Sequence, residues 1–367
     1  MENFSHTLLG LSLAKAGLER ATPLATTALI ISSNLPDIDN VTWLLGGTAS
    51  SLEHHRAFTH GFVGLGILAA ALTAVLTFLD RRFRLRSDPF RRPLRPFRIF
   101  LLSCLGGLGH TFMDFTNAYG VRPLVPFSSR WFYGDLVFVV DPWIWLILGS
   151  AVVWLTATDG ARTFVWLVVG IIASLVVAFA LRTPSEQLTV IPNTARAMWF
   201  GGLALILTGA LFGWRRAGPK LARYSLFFLA LYYGGMWMAH QSAMRQAQAS
   251  LSDSNVELLA VWPTPVNPLR WQAAGTTDRS LYLGDINLGT KQSEWLELSK
   301  LDSKFIEPLS KSAEARAFLN FVRYVSANID ERPDGYTLEL RDLRFNLRMR
   351  VQMDRELTVK STDIRWF

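Results

Sequence analysis

Cysteine is almost missing: Cys104 is the only one in 367 residues, so no disulfide within the chain can staple the fold. It lies in an apolar run and reads as a packed small hydrophobe. Charged residues are scarce at 18% and histidine is scarcer, with six. The opening Met-Glu-Asn-Phe-Ser-His has no basic n-region of a secretory signal, so no cleavage is expected. Repeats and low-complexity tracts are absent apart from one arginine-rich stretch.

Apolar sequence is what the chain has in abundance, at half of all residues. Residues 61–79, 163–181 and 197–214 are uninterrupted apolar runs of spanning or near-spanning length, the mark of an integral membrane protein. Further apolar helices are expected over 5–18, 22–35 (ended by Pro36), 99–116, 136–157 (interrupted at Asp141-Pro142) and 224–239. The first two are shorter than the ~20 residues of a clean span. The expected fold is mainly α, a multispanning transmembrane bundle of about six to eight helices over residues 1–245. A soluble α+β domain is expected over 246–367. There, 256–262 and the alternating 343–353 read as strands, 312–325 has helical spacing, and 241–255 reads as a linker or helix extension.

The net charge of +8 is uneven. Residues 250–367 carry 16 basic and 17 acidic side chains, whereas 1–249 carry 21 and 12, and eight of those basics are arginines between Arg81 and Arg98. Nucleic acid is not the expected partner of a basic run that joins two apolar segments. Cytoplasmic placement beside anionic lipid headgroups accounts for it. The alternation of spans then puts the loop 215–223, independently basic, on the same side. His60, His110 and Asp114 fall toward the opposite, extracytoplasmic face; Asp37 and Asp39 arrive there if residues 22–35 run outward, and His6 joins them if the first helix runs inward. The C-terminal domain is expected on that face too.

Five of the six histidines lie in the first 110 residues. His110 and Asp114, four apart on an expected helix, share one face, as would two metal ligands or a buried hydrogen-bonded pair. Asp37 and Asp39, two apart in an expected extended segment, would face one way; a loop that caps the next helix is the blander reading. Glu53-His54-His55-Arg56 and His60 precede a span, and of the adjacent pair His55 is taken to face the site. The spacing is not that of the His-Glu-x-x-His zinc-protease helix. His6 matters only in this company, and His240 is assigned to the membrane interface. Arg122, Arg130 and Asp135 follow the His110 helix, where arginine would suit a phosphate ester or snorkel to headgroups. Trp131, Phe132, Tyr133 and Trp143 read as an interfacial belt.

Four motifs occur in order: Asn3/His6/Gly10, Pro36-Asp37-Ile38-Asp39, His54-His55-Arg56 with Thr59-His60, and His110/Asp114/Asn117. Over about residues 1–150 they resemble the bacterial inner-membrane metal-dependent hydrolase family. That resemblance implies a multi-pass inner-membrane protein with a membrane-embedded metal site and hydrolase activity. The expected ligands of a divalent metal are His6, Asp37, His55, His60, His110 and Asp114, with Asp39 as ligand or general base and Arg122 assisting catalysis. Six or seven donors exceed the four of one zinc, so two ions or an outer ring of supporting side chains is expected. The expected substrate is an ester or phosphoester, of a lipid or lipid-linked molecule. The alternative is a non-enzymatic metal-binding protein or a scaffold presenting the C-terminal domain. The runs 163–181 and 197–214 contain no ionisable residue, which argues against transport.

Overall fold

A computed structural model describes residues 1–88, 90–179, 193–345 and 347–366. Its contacts divide the chain into two units. The first comprises 1–38, 58–236 and 265–267, and the second 39–57, 237–264 and 268–367. The sequence puts one boundary near 245; the contacts also assign 39–57 to the second unit.

The first unit is helical. It contains α1 (Asn3–Lys15), α2 (Ala25–Ser32), α4 (Phe62–Leu79), α5 (Leu85–Ser87), α6 (Pro96–Phe115), α7 (Pro142–Thr156), α8 (Gly160–Phe179), α9 (Asn193–Leu211) and the first half of α10 (Pro219–Ser250). Three helices are long and apolar enough to cross a membrane: Phe62–Ser87, Gly160–Ala178 and Asn193–Leu211. The wider bundle of six to eight spans is thus not what helix length and composition establish among the described residues. The expected span 136–157 shortens to α7, an apolar helix of 15 residues. The reason is local: Pro142 takes the first helical position, and Asp141 caps it by accepting from Trp143 N at 2.9 Å. The last two residues of the 163–181 run lie outside the described residues.

The core of this unit forms where α1, α2, α4 and α6 pack. Ala14, Ala25, Leu29 and Leu102 make one buried cluster, and Ala28, Leu72, Leu76, Leu94 and Ile99 another. Two glycines set how closely the helices approach. A Cβ on Gly10 of α1 would lie 2.8 Å from Leu29 O, and one on Gly106 of α6 would lie 3.1 Å from Ser33 N. The C-terminal end of α2 is therefore gripped from both sides, at Ser32 and Ser33.

The second unit holds two antiparallel four-stranded sheets, ordered β1-β2-β3-β4 and β5-β6-β7-β8. The strands are β1 (Glu257–Pro263), β2 (Arg270–Thr276), β3 (Ser280–Asn287), β4 (Gln292–Ser299), β5 (Val325–Arg332), β6 (Gly335–Asp342), β7 (Leu347–Asp354) and β8 (Val359–Trp366). Between the sheets in sequence lie α11 (Ser303–Lys311) and α12 (Ala313–Phe321). The alternation read from 343 becomes a strand only at Leu347; Leu347, Met349, Val351 and Met353 are buried and Arg348, Arg350 and Gln352 exposed. Upstream, Asp342 and Arg344 form a buried ion pair whose guanidinium also donates to Phe321 O at 2.8 Å, and this turn ends the pattern. The polar stretch after 240 is the second half of α10, helical to Ser250. His240 donates to Val261 O at 3.0 Å beside the Trp271 ring.

A helix not foreseen, α3 (Val41–His54), packs on α12. The helix carries a kink at the adjacent Gly46 and Gly47, with Gly47 at φ 66°.

Candidate metal centre

His110 and Asp114 lie one turn apart on α6, and both are 0% exposed. Burial of a carboxylate is expensive unless it is paired, and the first unit brings partners from three other places. Asp37 comes from the 3₁₀ turn Leu35–Asn40 after α2, His60 from the 3₁₀ turn Phe58–His60 before α4, and His6 from α1. His60 Nε2 lies 3.2 Å from Asp114 Oδ2, 3.5 Å from Asp37 Oδ1 and 3.0 Å from His110 Nε2. His110 Nε2 lies 3.4 Å from Asp114 Oδ2 and 3.6 Å from Asp37 Oδ1.

These separations test whether the donors fit an ion. Ligands bonded at about 2.0–2.1 Å in a tetrahedron stand roughly 3.3 Å apart, and the observed edges run from 3.0 to 3.6 Å. Tautomers fit too. His110 Nδ1 is 2.9 Å from Ser33 O, an acceptor only, so that nitrogen carries the proton and Nε2 offers its lone pair inward. His60 Nδ1 is held by Thr59 Oγ1 at 3.1 Å. Two carboxylates and two inward-facing imidazole nitrogens in a buried pocket make a donor set for a divalent cation. The Met1 ammonium, also buried, pairs with Asp114, one positive charge against two carboxylates.

His6 stacks on His110 with ring centroids 3.7 Å apart and puts Nε2 3.5 Å from Asp114 Oδ1, flanking the four donors. The stretch that holds Asp37 and Asp39 is 3₁₀ rather than the expected extended segment. Asp39 accepts from His55 Nδ1 at 2.8 Å and from Arg56 N at 3.0 Å, so its two oxygens hold the segment that follows α3. Arg122 is half-buried with its guanidinium 4.6 Å above the Trp131 ring. Asn117 falls just past the end of α6, where its Oδ1 accepts from Tyr119 N at 2.9 Å and holds the loop.

Two supporting groups escaped the sequence reading. Ser33 acts through its carbonyl, which no side-chain pattern reveals. Thr59 stood inside the His54–His60 motif and could have been found as the neighbour able to orient an imidazole.

Residues 1–185 match the YdjM inner membrane protein family. The chain belongs to that family. The matched span contains all four donors, α1 through α8, and two of the three candidate spans. The family and the three apolar helices together make this a membrane protein. Along its length the chain is 24% identical to the uncharacterized protein YfhP of Bacillus subtilis (strain 168), over 384 aligned positions covering 100% of this chain and 95% of that one. No solved structure matches.

Proposed function

We propose that the chain is a metal-dependent hydrolase of the bacterial inner membrane, with zinc held by Asp37, His60, His110 and Asp114. The observation that carries the reading is the four-donor cluster itself, five of whose six edges lie between 3.0 and 3.6 Å, close to those of a tetrahedral site. When bound, such an ion supplies Lewis acidity toward an ester or phosphoester oxygen and acidifies water. The chain's own residues do the rest. Ser33 keeps the His110 Nε2 lone pair turned inward, Thr59 holds the His60 ring, and His6 covers one face of His110. Asp39 sits two residues from Asp37 on the same short turn and is the general base of this reading, oriented by its hydrogen bond to His55 Nδ1. Arg122, flattened on Trp131, receives the anionic group of a phosphoester. A centre among apolar helices suits a lipid or lipid-linked substrate. Two basic segments, 80–98 and 215–223, support an orientation that leaves the C-terminal domain extracytoplasmic.

One observation favours a second reading. His60, His110 and Asp114 are 0% exposed and Asp37 only 8%, and a closed four-donor site is the pattern of a structural metal. The test is nanodisc-reconstituted wild type and His55→Ala, each assayed for metal content and for hydrolysis of p-nitrophenyl esters and phosphoesters. The hydrolase predicts metal in both and turnover in wild type alone. Metal in both with no turnover across the panel would favour the structural site, and metal in neither would sink both readings.

A further inference from the structure

The arginine-rich segment borders a groove. Helix α4 continues through Asp80–Arg84 into α5, so the candidate span runs from Phe62 to Ser87 and carries its arginines on a helix. Positions 70, 73, 74, 77, 78, 81 and 82 recur at helical spacing and line one side of a groove of about 790 Å³. That size falls within the roughly 300–1,000 Å³ of small-molecule sites. Its floor is made by short side chains, Ala70, Thr73, Ala74 and Thr77, and its far wall by Phe97 and Phe100 at the start of α6. One end is therefore apolar. The other ends on Arg81, Arg82 and Arg86.

The charge at that end is not spent within the fold. Asp80 is buried and engaged: it pairs with Arg84 and accepts from Leu94 N at 3.0 Å. Asp88 pairs with Arg91 at 3.2 Å. Arg82 and Arg86 are exposed and pair with no carboxylate among the described residues; Arg82 lies over the Phe83 ring at 5.2 Å. The return strand of the loop is tied down as well, with Arg95 N donating to Thr22 Oγ1 at 2.8 Å and Arg98 to Ala21 O at 2.6 Å. The arginines are thus presented at the end of a candidate membrane span, directly beyond an apolar groove. An anion attached to an acyl chain matches both halves at once.

We propose that this groove binds an anionic glycerophospholipid, with one acyl chain along Ala70–Thr77 of α4 and the phosphate between Arg82 and Arg86. The site shares no residue with the metal centre, and its occupant is a bound lipid rather than a substrate. Arginine suits the phosphate because its planar fork donates two parallel hydrogen bonds.

Native mass spectrometry of delipidated full-length protein in detergent tests this, with phosphatidylglycerol, phosphatidylcholine or inorganic phosphate added. Wild type is expected to retain one phosphatidylglycerol in preference to phosphatidylcholine. Arg82→Gln and Arg86→Gln should each weaken that adduct about fivefold, whereas Arg82→Lys should restore much of it. Ala74→Trp, which fills the groove and leaves the arginines in place, should also abolish lipid binding. Equal retention of the two lipids overturns the proposal. So does an adduct insensitive to Ala74→Trp but displaced by inorganic phosphate, which would mark a bare anion site.

Discussion

His110 is where a single side chain decides most. Its Nδ1 is fixed on Ser33 O and its Nε2 touches three other donors, so His110→Ala removes one of the four candidate ligands. Wild type purified without chelator should carry about one metal ion per chain, and the variant less than about a tenth of that, by elemental analysis. Thr59→Val tests orientation separately from ligation. It keeps every ligand yet deprives His60 Nδ1 of its partner, and should weaken metal affinity by about 10–100-fold, read by competition with a chromophoric chelator. At this scale the sequence was informative for a simple reason: imidazoles and carboxylates are rare in apolar segments, so their accumulation stands out. Which of them would meet was not legible. Asp37 and Asp39 look equivalent in sequence, yet Asp37 stands with His60, His110 and Asp114, while Asp39 accepts from His55.

Among elements, the grip on α2 is the feature that positions the site. Gly10 and Gly106 admit Ser32 and Ser33 where a side chain would collide. Gly106→Leu should force α2 and α6 apart, move Ser33 O from His110, and lower metal content together with thermal stability. A variant that kept full metal content would show that this close approach does not matter. Helix ends offer a second check. The Glu314 carboxyl, in the first turn of α12, is held below the ordinary carboxylate value by a hydrogen bond from its own backbone N–H and by Ser312 Oγ at 2.9 Å. Because the folded value is depressed, the stabilisation is complete above the unfolded value of 4.5 and fades as pH falls through the folded one. Hydrogen-exchange protection of α12 should therefore drop slightly in that acid window, and Glu314→Gln should remove that part of the pH dependence. Periodicity reveals helices such as α6 and strands such as β7. It did not reveal α3, whose paired glycines imitate a loop and whose partner, α12, lies far along the chain.

For the whole molecule, folding and metal binding should be linked in the helical unit. An ion that binds the folded state alone at 100 times its dissociation constant adds about 2.7 kcal/mol. Chelation should lower the melting temperature of the helical unit and zinc should restore it, while β-sheet unfolding by circular dichroism stays put. A melting curve indifferent to both would mean that the cluster binds no metal in the folded protein.

Composition and hydropathy alone determined that the chain enters a membrane and that a different kind of domain follows, because both depend on sums over many residues. Motif order was enough to indicate the family. Tertiary structure decided the rest: that His60, His110, Asp37 and Asp114 form one set of donors, that Asp39 and His55 form another pair, and that a segment rich in arginine has a groove beside it. Those outcomes depend on separations of a few ångströms between residues up to about a hundred positions apart, and helix packing, not local pattern, sets such distances.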